Sequence, residues 1–129
     1  MNTSIKSMKR IAIIGTGPDR NRFSNKAVRA YKKHGWQVIP VTPNYDEVEG
    51  IKAVRSVKDI TGAVDVASFY VRPDIGMRIA DQVIGKNIPA VYLNPGSESE
   101  ALIEKLKAGG VETHLMCSII ALGENPDEF

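Results

Sequence analysis

Ile11-Ala12-Ile13-Ile14-Gly15-Thr16-Gly17-Pro18 decides the fold. Four apolar residues, three of them β-branched, run straight into Gly-Thr-Gly. Such a run reads as a buried strand ending in a tight turn that glycine keeps clear of side chains. A helix is expected a few residues later, near Ser24, which is a plausible N-cap. A strand, a glycine turn and a helix N-terminus together form an anion site: the first helical N–H groups lack partners, and they sit at the positive end of the helix dipole. The dinucleotide fingerprint Gly-x-Gly-x-x-Gly is incomplete, because Arg20 stands where the third glycine belongs. With Pro18 beside it, a longer loop is expected before the helix.

Outward from this turn, strand and helix patterns alternate. The first strand covers Lys9 to Gly15, and the helix after it runs to His34 and stops at Gly35. Phe23, Ala27, Ala30 and Tyr31 mark its inner face; Lys26, Arg29 and Lys33 mark the outer one. Trp36 to Thr42 is the second strand. Tyr45 to Gly50 reads as a polar loop, and Ile51 to Val54 as a short third strand. Ser56 can cap a single turn through Lys58 to Ile60. Val64 to Val71 is a fourth, central strand, after which Pro73 opens a helix as its first residue, with Ile75, Ile79, Ala80 and Val83 as its buried stripe. Ala90 to Leu93 is the fifth strand. Ser97-Glu98-Ser99-Glu100 has the form of a capping box, the following helix ends at Gly109-Gly110, and Val111 to Met116 is the sixth strand.

This alternation predicts an α/β fold, a Rossmann-like doubly wound parallel sheet in three layers. The expected strand order is 3-2-1-4-5-6, with Ile51–Val54 at the edge. The expected organisation is a polar, disordered lead over 1–8, one domain over 9–122 and a short acidic tail over 123–129.

Composition narrows the function. The chain has 129 residues, a net charge of +2 and one cysteine. One domain fits that length, and it leaves no room for the substrate domain that a dinucleotide-dependent enzyme usually adds. A charge of +2 does not argue for nucleic acid, and aromatics, at 6%, are not interleaved with the cations. One cysteine excludes an intrachain disulfide and suits a reducing, cytoplasmic setting. No apolar run approaches the ~20 residues of a membrane span.

In a wound sheet the ligand lies beyond the carboxyl ends of the strands, where strand order reverses. Three segments converge there: Gly15 to Asn25, Thr42-Pro43-Asn44, and Tyr70-Val71-Arg72-Pro73. An NAD site wants a carboxylate at the end of the second strand. Thr42-Pro43-Asn44 is neutral and tolerates a phosphorylated ribose. Arg20, Arg22, Lys26 and Arg72 are the cations expected near the mouth. Cys117 reads as a small buried residue, and His34 and His114 have no metal-ligand spacing with it. Ser68 lacks a nucleophile-elbow setting. With no acid–base or nucleophile pair around the crevice, the sequence predicts a binding protein rather than an enzyme.

These segments resemble the stand-alone CoA-binding domain family, which is similar to the N-terminal domain of the succinyl-CoA synthetase α subunit. The resemblance is carried by Ile13 to Pro18, Arg22-Phe23-Ser24-Asn25, Gly35-Trp36-Gln37-Val38-Ile39-Pro40-Val41-Thr42-Pro43-Asn44 and Val71-Arg72-Pro73-Asp74. It covers Lys9 to Leu122. It implies coenzyme A or an acyl-CoA as ligand, with phosphates on the first loop and the adenosine end between the second and fourth strands. The implied contacts are Gly15, Thr16, Gly17, Pro18, Arg22, Phe23, Ser24, Asn25, Thr42, Pro43, Asn44, Val71, Arg72 and Pro73. Many small relatives carry Ala-Ser in place of Thr16-Gly17 and Asn in place of Thr42. The alternatives are an NAD(P)-binding module and the detached CoA-binding half of an acyl-CoA synthetase. Neither nucleic acid nor membrane is an expected partner.

Overall fold

A computed structural model describes residues 8–129. The expected lead over 1–8 therefore lies, apart from Met8, outside the described residues. Strand β1 (Arg10–Ile14) is an interior strand of the sheet, next to its β2 edge. Ile11, Ala12, Ile13 and Ile14 are all buried, because β1 is covered on both faces and paired on both sides. It runs parallel to β2 (Gln37–Val41) and to β5 (Val66–Phe69). Strands β6 (Ala90–Leu93) and β7 (Glu112–His114) extend the sheet on the β5 side. The order is β2-β1-β5-β6-β7, the expected winding with the reversal between β1 and β5.

The expected third strand is mostly absent from this sheet. Glu47–Val48 (β3) and Ile51–Lys52 (β4) instead pair antiparallel as a hairpin. Its two loop residues, Glu49 (φ 52) and Gly50 (φ 75), both take the left-handed conformation that tight hairpins favour. Segment 45–50 is thus not simply a polar loop, and Val48 is buried. Only Val54 reaches the sheet edge. Its N–H donates to the Pro40 carbonyl at 3.0 Å, and its carbonyl accepts from Thr42 N–H at 2.9 Å. Pro40 has no N–H to offer outward, so the edge ladder stops at one bridge.

Among the described residues, four helices cover the sheet. Helices α1 (Phe23–Lys33) and α4 (Ser118–Ala121) lie on one face, packed with Ile11, Ile13 and Val38. Helices α2 (Pro73–Gly85) and α3 (Glu100–Ala108) lie on the other, packed with Ala12, Ile14, Phe69 and Leu93. The alternation of β1 side chains between these two clusters is the period-2 pleat of a strand buried on both faces. In α2, Ala80 and Val83 are buried, whereas Ile75 and Ile79 are half-buried.

Several helix termini differ from expectation. Arg22, not Ser24, is the N-cap of α1; it is extended and its side chain makes no capping bond. Ser24 lies inside the first turn and is buried. Phe23 is 55% exposed rather than on the inner face, because the first turn overhangs the end of the sheet. The α3 capping box does not form. Ser99 caps α3 by accepting from Leu102 N–H at 3.1 Å, while Ser97 is taken away by a bond to the Phe69 carbonyl at 3.0 Å. Ser56 precedes a single 3-10 turn (Val57–Asp59) but bonds the Asp59 carboxylate rather than the backbone. The sixth strand is only the three residues of β7, and Leu115 and Met116 beyond it are exposed. Segment 123–129 is docked against α1. Glu124 contacts His34 at 2.6 Å and Lys33 at 3.2 Å, and Phe129 packs beside the α1 cluster.

Candidate ligand-binding site

Two clefts open beyond the carboxyl ends of the central strands, one on each side of the Gly15–Thr16 turn. The larger, about 620 Å³, lies on the α1 side. It is lined by the loop from Gly15 to Asp19, by Arg22, Phe23 and Ser24, and by Asn44, Tyr45 and Tyr70. The smaller, about 390 Å³, lies on the α2 side. Its apolar wall includes Val41, Pro43, Val57, Val71, Ile75 and Ile79, and Arg55 and Arg78 also line it. Gly15, Thr16 and Asn44 belong to both, so the clefts meet at the turn.

Backbone geometry explains why that turn is glycine. Gly15 has φ +88, and a Cβ there would lie 2.7 Å from the Tyr70 carbonyl oxygen and 2.6 Å from Val71 Cγ1. No other residue fits both the dihedral and the space. Gly17 is different. Its φ is outside the left-handed region, and a Cβ would meet the Tyr45 ring at 3.0 Å.

The loop after Gly17 is held from behind. Asn25 is fully buried; its Nδ2 donates to the Gly17 carbonyl at 2.8 Å and to Glu49 Oε2 at 3.1 Å. Arg29 fixes the orientation of that amide by donating to Asn25 Oδ1 at 2.8 Å, and donates to the Arg20 carbonyl at 2.7 Å. Arg20 pairs with Glu49 at 3.3 Å. The β3–β4 hairpin thus braces the loop, and Arg20 is engaged in that brace.

Facing the cleft, the polar groups are open. The first turn of α1 contains no acid, and Arg22 provides no side-chain cap. Thr16 Oγ1 is buried and, among the described residues, has no hydrogen-bond partner; the residue is only 4% exposed. A buried hydroxyl without a partner costs about 1–3 kcal/mol, so a ligand atom that bonds it recovers that cost. Asp19 is the acid of this cleft, and its Oδ1 already accepts from Asn21 N–H at 3.0 Å.

Of the residues expected from sequence, Gly15, Thr16, Gly17, Pro18, Arg22, Phe23, Ser24 and Asn44 line the larger cleft. Thr42, Pro43 and Val71 line the smaller one. Asn25 supports the loop from behind. Arg72 and Pro73 line neither cleft: they open α2, and Arg72 is tied to Asp74 at 3.1 Å, with its side chain 75% exposed. Lys26 stacks on Phe23, its Nζ 5.3 Å from the ring centroid. Sequence reasoning missed Arg55, Arg78 and Tyr45. Arg78 carried a signal, since Ile75, Arg78, Ile79 and Gln82 share one helical face. Arg55 carried none, because it arrives through the hairpin.

Other candidates have structural occupations. Ser68 is fully buried and bonded to Ser118 Oγ at 2.8 Å. Cys117 is half-buried, directly before α4. No group of three or more His, Cys, Asp or Glu among the described residues is placed to hold a metal. No helix among them is long and apolar enough to cross a membrane.

Comparison with known proteins agrees with this geometry. The CoA binding domain profile matches residues 9–122. The chain is 30% identical over 106 residues to the uncharacterized protein YneT of Bacillus subtilis (strain 168), covering 82% of this chain and 78% of that protein. It is 39% identical over 62 residues to the α subunit of the ADP-forming acetate–CoA ligase II of Pyrococcus furiosus, covering 47% of this chain and 14% of the subunit. Among solved structures, a conserved hypothetical protein from Pyrococcus furiosus superimposes with a TM-score of 0.81 at 32% identity, covering 88% of this chain and 99% of that one. The doubly wound sheet, the open turn at its reversal point and a match over nearly the whole chain lead to one assignment: the chain belongs to the CoA-binding domain family.

Proposed function

We propose that the protein binds coenzyme A or an acyl-CoA across the two clefts, without catalysis of its own. The diphosphate lies over the Gly15-Thr16-Gly17 turn against the α1 N-terminus. Adenosine occupies the apolar cleft between β2 and β5, and the pantetheine arm follows the larger cleft. The observation that carries the reading is the buried, unpartnered Thr16 hydroxyl at the junction of the clefts. The neutral Thr42-Pro43-Asn44 end of β2 supports a phosphorylated ribose over NAD.

Arg55 and Arg78 are the cations of the adenosine cleft and would meet the 3′-phosphate. Arg55 is held over the rim by its bond to the Pro43 carbonyl at 2.6 Å, and Asp46 is 3.8 Å away. A guanidinium–phosphate contact is worth about 1.5–3 kcal/mol, and exposure moves it toward the lower end, or about tenfold in affinity. Calorimetric titration with CoA and dephospho-CoA tests the reading. CoA should bind more tightly, and Arg55→Ala with Arg78→Ala should remove the difference. No heat and no thermal shift with millimolar CoA would sink the proposal.

A second reading is favoured by the identity to the acetate–CoA ligase α subunit. Here the chain is the CoA-binding half of a split synthetase. Acyl-CoA formation that appears only when a partner chain is added would establish it.

A further inference from the structure

We propose that Tyr70 is a fixed hydrogen-bond donor to a carbonyl oxygen of the bound ligand, in the pantetheine arm or in an acyl thioester at its end. The inference rests on reading the site as a CoA site.

A directed chain of hydrogen bonds behind the larger cleft carries the argument. It begins at Asn94, whose amide has one possible orientation: Ser118 N–H donates to its Oδ1 at 2.8 Å. Asn94 Nδ2 therefore donates, to Ser68 Oγ and to the Phe69 carbonyl, each at 2.8 Å. Both amide hydrogens are used. Ser68 Oγ, having accepted from Asn94, donates to Ser118 Oγ at 2.8 Å. Ser118 is fully buried, so its own proton needs an acceptor. Among the described residues, the remaining oxygen bonded to it is the Tyr70 hydroxyl, at 3.0 Å.

Direction follows from this count. If Tyr70 donated to Ser118, the Ser118 proton would be orphaned in the interior. Donation from Ser118 to Tyr70 satisfies every member of the chain. The Tyr70 proton then has two acceptors within reach, the remaining lone pair of Ser68 Oγ and a ligand atom in the larger cleft, which Tyr70 lines. Burial pushes the phenol up to about 12, so it keeps that proton through the neutral range.

The position selects the class of acceptor. The diphosphate is accounted for at Thr16 and the α1 N-terminus. Tyr70 belongs to the cleft that the arm occupies next. The arm carries amide carbonyls, and an acylated ligand adds a thioester carbonyl. A free thiol is a poor acceptor by comparison.

The test is Tyr70→Phe, titrated with CoA, acetyl-CoA and ADP, with a melting curve to confirm a folded variant. ADP carries the diphosphate and no carbonyl. Affinity should fall about two- to tenfold for the carbonyl-bearing ligands and stay unchanged for ADP. A loss confined to acetyl-CoA assigns the thioester; an equal loss for CoA and acetyl-CoA assigns an amide of the arm. An equal loss for ADP, or no loss for any ligand, overturns the inference while leaving CoA binding itself intact. Failure of the parent to bind CoA or acetyl-CoA removes the underlying reading instead, and the inference with it. If the variant does not fold, the parent answers the question by infrared difference spectroscopy with carbonyl-labelled acetyl-CoA. A bound carbonyl stretch moved to lower wavenumber is expected, and unmoved amide and thioester stretches would refute the contact.

Discussion

Helices α1 and α2 start at the same end of the sheet, after the neighbouring strands β1 and β5, yet their first turns are opposites. Helix α2 begins with Pro73, has Asp74 in its first turn, and pairs Asp74 with Arg72. Its positive end already faces a carboxylate of the protein's own. Helix α1 has no proline at its start and no acid in its first turn; a side-chain cap is missing from both helices. Both ends have the same dipole and the same unpaired N–H groups. What differs is whether the chain supplies the anion. The α1 end has no such acid, and it lies beside a turn that glycine keeps clear.

The two turns touch at Gly15, and breaking that contact should have the largest effect. Gly15→Val places a β-branched residue at φ +88 and drives its Cβ into the Tyr70 carbonyl. Backbone strain of about 1–3 kcal/mol and overpacking of about 1–3 kcal/mol both count against it. Urea unfolding should show a loss of several kcal/mol, and a variant as stable as the parent would contradict the geometry. Gly17→Val should fold normally, since the exposed Tyr45 ring can move aside.

Giving α1 the chemistry of α2 should come next. Arg22→Asp puts a capping carboxylate at the α1 N-terminus. It should stabilise the helix by about 0.5–2 kcal/mol while lowering CoA affinity by about tenfold or more through charge reversal. Stability and binding should therefore move in opposite directions. Paired denaturation and calorimetry check both signs, and a rise in affinity would show that the anion lies elsewhere.

Thr16→Val should separate the same two quantities more gently. It deletes a buried hydroxyl that has no partner among the described residues, so stability should hold or rise. Affinity for CoA should fall about tenfold or somewhat more, the value of one hydrogen bond to a charged group. Loss of stability without loss of affinity would make the hydroxyl structural.

The smallest effect belongs to the α2 end. Asp74→Asn removes a first-turn charge worth about 0.3–1 kcal/mol to the helix. Because Asp74 lines neither cleft, CoA affinity should stay within error of the parent. A marked gain in CoA affinity would mean that α2 competes for the ligand after all.

Legibility in the sequence followed the distance over which each feature is decided. The β1–turn–α1 unit is contiguous, and its apolar run and glycines are visible without the rest of the chain. The start of α1 lies two residues earlier because the signal at Ser24 is a propensity, and Ser24 is instead buried inside the first turn. Ser97 and Ser99 both fit a capping pattern; the Phe69 carbonyl claimed one and left the other. The single-bridge edge was latent in Pro40, yet its consequence needs a strand beside it.

The sequence alone determined the winding of the sheet and the place of the glycine turn at which the two clefts meet. Both follow from short-range rules: apolar periodicity, glycine dihedrals, and helix ends that begin where strands stop. Tertiary structure decided which cations line the smaller cleft and which hydroxyls join behind the larger one. Arg55 is delivered by a hairpin and Arg78 by one face of α2. The Tyr70 hydroxyl meets that of Ser118, 48 residues away in the chain. A hydrogen bond's direction depends on the whole set of donors and acceptors around it, and only the packed interior assembles that set.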